Sequence, residues 1–223
     1  MPHRDEVPRD RRLRVTEVYA SVQGESTHVG KPMVFIRLTG CPLRCTWCDS
    51  TFTFQGGTWR DVDDVVAEVL RFGLPAVEVT GGEPLMQPNA VGLMQKLLDA
   101  GLEVLLETSG ALAIDGVPPG VRVILDLKAP GSAMEDRNRW ENLDVLDRDG
   151  EVKFVLADRT DYEWAREVIR QRGLAARWPV HFSPVWGVLS PATLVEWMVT
   201  DRVAARLMLQ VHKVIWDPAA RGV

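Results

Sequence analysis

The sequence predicts an α/β fold, a partial, open (βα) TIM-like barrel. Short apolar runs alternate with amphipathic segments along most of the chain. The 223 residues also fall short of the roughly 250 that a closed eightfold barrel uses. Strands alternating with helices imply βαβ units and a mostly parallel sheet.

Met33–Leu38 reads as the first strand. Val62, Val65, Val66, Val69 and Leu70 then fall on one face of a helix, with Gly73 as its stop. Ala76–Thr80 is a short strand ending in Gly81 and Gly82. Val91, Met94, Leu97 and Leu98 mark a second helix, stopped by Gly101. Glu103–Glu107 and Val121–Leu127 are further strands, and Ala133–Leu146 has a weak helical period. Glu151–Leu156 is a strand. Tyr162, Ala165, Val168 and Ile169 lie on a helix ending near Gly173. Val180–Ser183 is a strand, Ser190 and Pro191 open another helix as N-cap and first turn, and Leu207–Val211 is the last strand. These runs make about seven strands, and in such sheets active sites gather at the strands' carboxyl ends.

Residues 1–223 are expected to form a single domain, with Met1–Arg14 as a partly flexible leader. Hydrophobic residues make up 46% and charged residues 26%, a soluble, globular balance. With 26 basic and 31 acidic residues the net charge is -5, which argues against nucleic-acid binding driven by overall charge. No apolar run approaches the ~20 residues of a membrane span. A cytoplasmic location is expected, with no membrane partner.

All three cysteines lie in Gly40-Cys41-Pro42-Leu43-Arg44-Cys45-Thr46-Trp47-Cys48-Asp49. An odd number in one tight CxxxCxxC cluster points to metal or redox chemistry, not to a disulfide framework. Three thiolates on one loop suit three corners of an iron–sulfur cube. Structural zinc is the alternative, with Asp49 as a fourth ligand, since none of the four histidines stands at zinc-finger spacing.

With Thr80-Gly81-Gly82-Glu83-Pro84 at the next strand end, this cluster resembles the radical S-adenosylmethionine (SAM) superfamily. More narrowly, Ser21-Val22-Gln23-Gly24-Glu25-Ser26, Phe35-Ile36-Arg37-Leu38, Cys48-Asp49-Ser50 and Glu107-Thr108-Ser109-Gly110 resemble the 7-carboxy-7-deazaguanine synthase family. Asp126-Leu127-Lys128, Ser183-Pro184-Val185 and Leu209-Gln210-Val211-His212-Lys213 are similar to its later segments. Three positions depart from the family pattern. Ser26 stands where glycine is common, Ser50 where threonine is common, and Asp126-Leu127-Lys128 where many members have serine-proline-lysine.

The resemblance implies a 4Fe–4S cluster on Cys41, Cys45 and Cys48, SAM, and Mg²⁺ on the Ser50 hydroxyl, with Asp49 as a rival ligand. It implies conversion of 6-carboxy-5,6,7,8-tetrahydropterin to 7-carboxy-7-deazaguanine with loss of ammonia, in queuosine and 7-deazapurine biosynthesis. It also implies a flavodoxin or ferredoxin electron donor and a homodimer. The implied substrate contacts are Val22, Gln23, Gly24, Glu25, Arg37, Thr108, His212 on the last strand, and the carboxylate of Val223. Those implied for SAM are Gly81, Gly82, Glu83, Gly110, Asp126, Leu127, Lys128, Ser183, Pro184, Val185 and Trp186. Arg37 offers a planar fork suited to a carboxylate. Trp59, Trp140, Trp164, Trp178 and Trp197 read as packing or dimer contacts. The rival functions are a glycyl-radical-enzyme activase and, in a different class, a zinc- or RNA-binding module in which Trp47 stacks on a base.

Overall fold

A computed structural model describes residues 8–223. Among these residues nine strands form one sheet in the order β3-β1-β2-β4-β5-β6-β7-β8-β9. Strands β2 (Pro32–Leu38), β4 (Ala76–Gly81), β5 (Glu103–Thr108), β6 (Arg122–Leu127), β7 (Glu151–Leu156), β8 (Val180–Pro184) and β9 (Arg206–Leu207) run parallel. Strands β1 (Arg12–Val22) and β3 (Thr58–Asp61) add an antiparallel edge. The sheet does not close, as expected of a partial barrel.

The strands obey a two-residue alternation. Val34, Ile36 and Leu38 of β2, Val77 and Val79 of β4, and Val152, Phe154 and Leu156 of β7 belong to the main core. The alternate residues Arg37, Glu78, Glu107, Asp126, Lys153 and Ser183 line a cavity instead. Met33, Phe35, Ala76, Leu105 and Ile124 form a small second apolar cluster, with Tyr19 packed against it.

Helices α1 (Val62–Arg71), α2 (Ala90–Asp99), α4 (Arg159–Arg172) and α5 (Pro191–Asp201) lie where the apolar periods place them. Helix α1 is capped by the Asp61 side chain, which accepts from the Asp63 amide. Ser190 occupies the N-cap of α5, but its side chain makes no capping hydrogen bond. Trp164 meets Phe154 edge-on and Trp197 packs on Tyr162, so both are packing residues.

Four expectations need correction. Arg12–Arg14 are not part of a flexible leader: they begin β1, and Leu13 is fully buried. Residues 1–7 of that leader lie outside the described residues. Ala133–Leu146 is not a helix. It follows the 3-10 turn Pro130–Ser132 and holds only the 3-10 turn Glu135–Arg137 and the single turn α3 (Asn142–Val145). Ala133 is left-handed there, at φ 58°, which interrupts a right-handed helix. The last strand stops at Leu207, so His212 lies in the short helical turn α6 (His212–Ile215). Finally, β1 and β3 raise the count from seven strands to nine.

If β1 is integral, Leu13→Ala should cost about 2–5 kcal/mol of stability, as large-to-small core changes do. Chemical denaturation of the purified chain measures it; a loss near zero would restore the leader reading.

Candidate active site

The cysteine loop leaves the carboxyl end of β2. Glycines at the end of β4 let it sit close. A Cβ on Gly82 would lie 2.3 Å from the Gly40 carbonyl oxygen and 2.8 Å from Cys41 Cβ. Gly81, at φ 147°, would meet the Leu38 carbonyl at 2.2 Å. The cysteines are free and partly exposed to a cavity of about 900 Å³. Burial pushes the Cys41 and Cys45 thiols up, partly opposed at Cys41 by the Leu43 amide and at Cys45 by the Lys128 charge. Lys128 is itself held by Asp126, Nζ to Oδ2 at 2.7 Å. The other oxygen, Asp126 Oδ1, is buried without a partner among the described residues, as a site completed by a polar ligand leaves it.

Glu83 is not in the cavity wall. It is fully buried and accepts from Thr108 Oγ1 at 2.9 Å, Ser109 N at 2.8 Å and Ser109 Oγ at 2.5 Å. It fastens the turn after β5 to the turn after β4. Gly110, Leu127 and Pro184 also do not line the cavity; Leu127 points into the main core. The other residues implied for SAM and substrate do line it. Among these, Ser183, Val185 and Trp186 follow β8, and Ser50 Oγ donates to Asp49 Oδ1 at 3.1 Å.

The cavity floor is charged. Lys153, on β7, donates to Glu107 Oε1 at 2.6 Å and to Glu25 Oε2. Burial opposes its charge, but Glu107 and Glu25 hold its pKa well above the ordinary value. Burial also acts against Glu25, yet Lys153 and Gln210 keep it below the usual carboxylate range. Glu78 goes the other way. Burial and the charges of Glu107 and Glu25 raise it well above normal, and Gln23 Nε2 donates to its Oε2. Glu78, Glu107 and Lys153 are absent from the sequence-based candidates. Their signal is a charge between uncharged neighbours in a largely buried strand, where an unpaired charge would be costly.

Arg37 is more committed than expected. Its Nε donates to Glu17 Oε1 and its Nη2 to the Tyr19 hydroxyl, both at 2.7 Å. The chain's C-terminal part folds over the opening. Gln210 Nε2 donates to Glu25 Oε1 at 2.8 Å, Lys213 Nζ to Asp49 Oδ2 at 2.6 Å, and Val211 N to the Gly24 carbonyl at 3.0 Å. His212 packs on Gly24, where a Cβ would lie 2.2 Å from its Nδ1. Burial lowers its pKa and favours the neutral ring. Arg221 stacks on Phe52 at 4.0 Å, and Val223 lines the cavity.

Among the described residues, no three His, Cys, Asp or Glu side chains converge on a single-ion geometry. By ligand count, three thiols on one loop suit three corners of a cluster better than one zinc ion, which usually takes four ligands.

The radical SAM superfamily model matches residues 35–169, which places the chain in that class. A 7-carboxy-7-deazaguanine synthase of Chlorobaculum tepidum is 43% identical over 95% of this chain and 97% of its own length. One of Koribacter versatilis is 44% identical over 95% and 100%. The crystal structure of QueE from Escherichia coli shares the fold, with a TM-score of 0.72 at 24% identity over 89% of this chain and 93% of that one. The chain belongs to the 7-carboxy-7-deazaguanine synthase family. Membership in the radical SAM class implies a 4Fe–4S cluster and SAM, which the thiols and the unpartnered Asp126 oxygen fit.

Gly82→Ala should displace the cysteine loop, because its Cβ meets backbone. Iron analysis after anaerobic reconstitution should show most of the iron lost; full iron content would mean that the loop adapts.

Proposed function

We propose that this chain is a carbon–nitrogen lyase that converts 6-carboxy-5,6,7,8-tetrahydropterin to 7-carboxy-7-deazaguanine with loss of ammonia, in queuosine and 7-deazapurine biosynthesis. The observation that carries this reading is one cavity with three free thiols at one end and the Glu25–Lys153–Glu107 group at the other. When bound, the cluster and SAM supply hydrogen-atom abstraction from the substrate.

The chain's own residues bind and orient. A pterin's aminopyrimidinone edge presents N–H donors, and the floor presents carboxylates that accept them. Burial and the charges of Glu107 and Glu25 push Glu78 toward its protonated form, which can donate as well as accept. Arg37, already fixed by Glu17 and Tyr19, keeps Nη1 for the substrate carboxylate. His212 and the C-terminal segment exclude water by covering Gly24. Ser50 is the proposed Mg²⁺ ligand, completed by water and substrate oxygens. Asp49 is the weaker candidate, because Lys213 and Gln210 already hold it.

A flavodoxin or ferredoxin is the proposed reductant and the cytoplasm the proposed location. Among the described residues, no helix is long and apolar enough to cross a membrane. A homodimer is proposed, with exposed Val199 of α5 and Val214 and Ile215 of α6 as apolar contacts. The activase and the zinc- or RNA-binding module are not favoured, because the family match extends over 95% of the chain.

The test is anaerobic reconstitution, reduction, and addition of SAM, Mg²⁺ and the carboxytetrahydropterin, with product read by mass spectrometry. Deazaguanine should form, and Cys45→Ala should abolish it. 5′-Deoxyadenosine without deazaguanine would reject the substrate.

The floor chemistry makes a sharper comparison. Glu78→Gln keeps a neutral group, so kcat/KM should stay within about threefold of the unmodified chain. Glu107→Gln removes a charged acceptor and should cost about tenfold or more. Equal losses would contradict a neutral Glu78.

A further inference from the structure

Resting on the reaction proposed above, we propose that Glu151, backed by His181, is a positioning residue that sets how Gln23 and Glu25 meet the substrate. Neither side chain lines the cavity. They act through the loop of residues 23–31, which joins β1 to β2 at the barrel end opposite the cysteines.

That loop is closed at its neck by backbone. Gln23 N donates to the Lys31 carbonyl at 2.9 Å, and Gly30 N to the Gln23 carbonyl at 2.7 Å. Its cavity face carries Gln23 and Glu25. The next residue that reaches toward β7 is Thr27, whose amide donates to Glu151 Oε2 at 3.0 Å and whose hydroxyl donates to Oε1.

The spacing is regular. Glu151 and Lys153 are two residues apart on one face of β7, and Thr27 and Glu25 are two apart on the loop. Glu151 grips Thr27, while Lys153 grips Glu25. One strand therefore holds the loop at two points, one beneath the substrate contact and one upon it.

Glu151 is suited to a fixed grip. Its side chain is fully buried, and His181 Nε2 donates to Oε2 at 2.7 Å. Burial would raise its pKa, but the His181 and Thr27 hydrogen bonds outweigh that and keep it low. A second tether lies alongside, where His28 Nε2 meets Glu103 Oε1 at 2.7 Å and Lys31 reaches the same carboxylate. The loop also holds one strained residue. Ser26 is left-handed at φ 60°, a conformation that glycine adopts freely. A loop strained at Ser26 and pinned on both sides holds Glu25 at a set depth; released, it has slack at the residue that touches substrate.

Two readouts on the reconstituted full chain test this. Thr27→Val keeps the shape and removes the hydroxyl grip. Amide hydrogen exchange of residues 23–31, measured without substrate, should speed up about three- to tenfold. KM for the carboxytetrahydropterin should rise by a similar factor, with iron content and kcat unchanged. Thr27→Ser should restore both, and Glu151→Gln should move both in the same direction. Unchanged exchange in both Thr27→Val and Glu151→Gln overturns the grip. Faster exchange with unchanged KM overturns the positioning role and leaves a structural tether only. If the unmodified chain forms no deazaguanine, it is the proposed reaction that fails, and the positioning of that substrate falls with it.

Discussion

Lys153 places an ammonium group inside a barrel, where burial disfavours charge, so its surroundings must supply compensating carboxylates. Two come from different parts of the chain: Glu107 from the adjacent half of the sheet and Glu25 from the β1–β2 loop. Glu25 in turn binds Gln210, which draws in the C-terminal segment. Glu25 and Glu107 both bond that lysine, and burial together with their charges pushes the nearby Glu78 carboxyl well above its ordinary value. One buried cation thus organises a strand, a loop and the end of the chain around one floor.

The opposite end of the cavity is arranged by close backbone approach. Gly81 and Gly82 remove the side chains that would separate β4 from the cysteine loop. Glu83 then ties this turn to Thr108 and Ser109. The glutamate of the Gly-Gly-Glu-Pro segment works from behind the wall: it orients the turns whose other groups reach the cavity. Lys128 adds a positive charge beside Cys45, and its partner Asp126 keeps one oxygen without a partner among the described residues.

Most of the parallel sheet was legible because buried strands such as Val34–Leu38 and Val152–Leu156 are dense in apolar residues, and α1 and α4 carry a clear 3.6-residue period. β1 was not legible. Its eleven residues are mostly half-buried and mix charges with apolar groups; β3 has no fully buried residue at all. The cysteine cluster was legible because its spacing is local, whereas Gln23–Glu25, which alone reads as a solvated turn, was singled out only by the family resemblance. Glu78, Glu107 and Lys153 were not legible, because each lies on a different strand and they meet only when the barrel brings β4, β5 and β7 together. Ser26 is a departure that the structure explains in part: it adopts the left-handed backbone that favours glycine, and its hydroxyl accepts from the His28 amide at 3.1 Å.

The general expectation that sites sit at the carboxyl ends of parallel strands describes only half of this one. The cysteines, Gly82, Lys128 and Trp186 do follow strand ends. Gln23 and Glu25 enter from the other end, on a loop that precedes β2. An open barrel makes this arrangement workable: its unclosed sheet leaves room for added segments, and the loop and the chain's C-terminal part bond to each other through Gly24 and Val211. A site assembled from both ends needs its floor held as firmly as its roof. The roof is held by backbone packing between glycines, which tolerates no side chain. The floor is held by paired charges, which require every partner to be present.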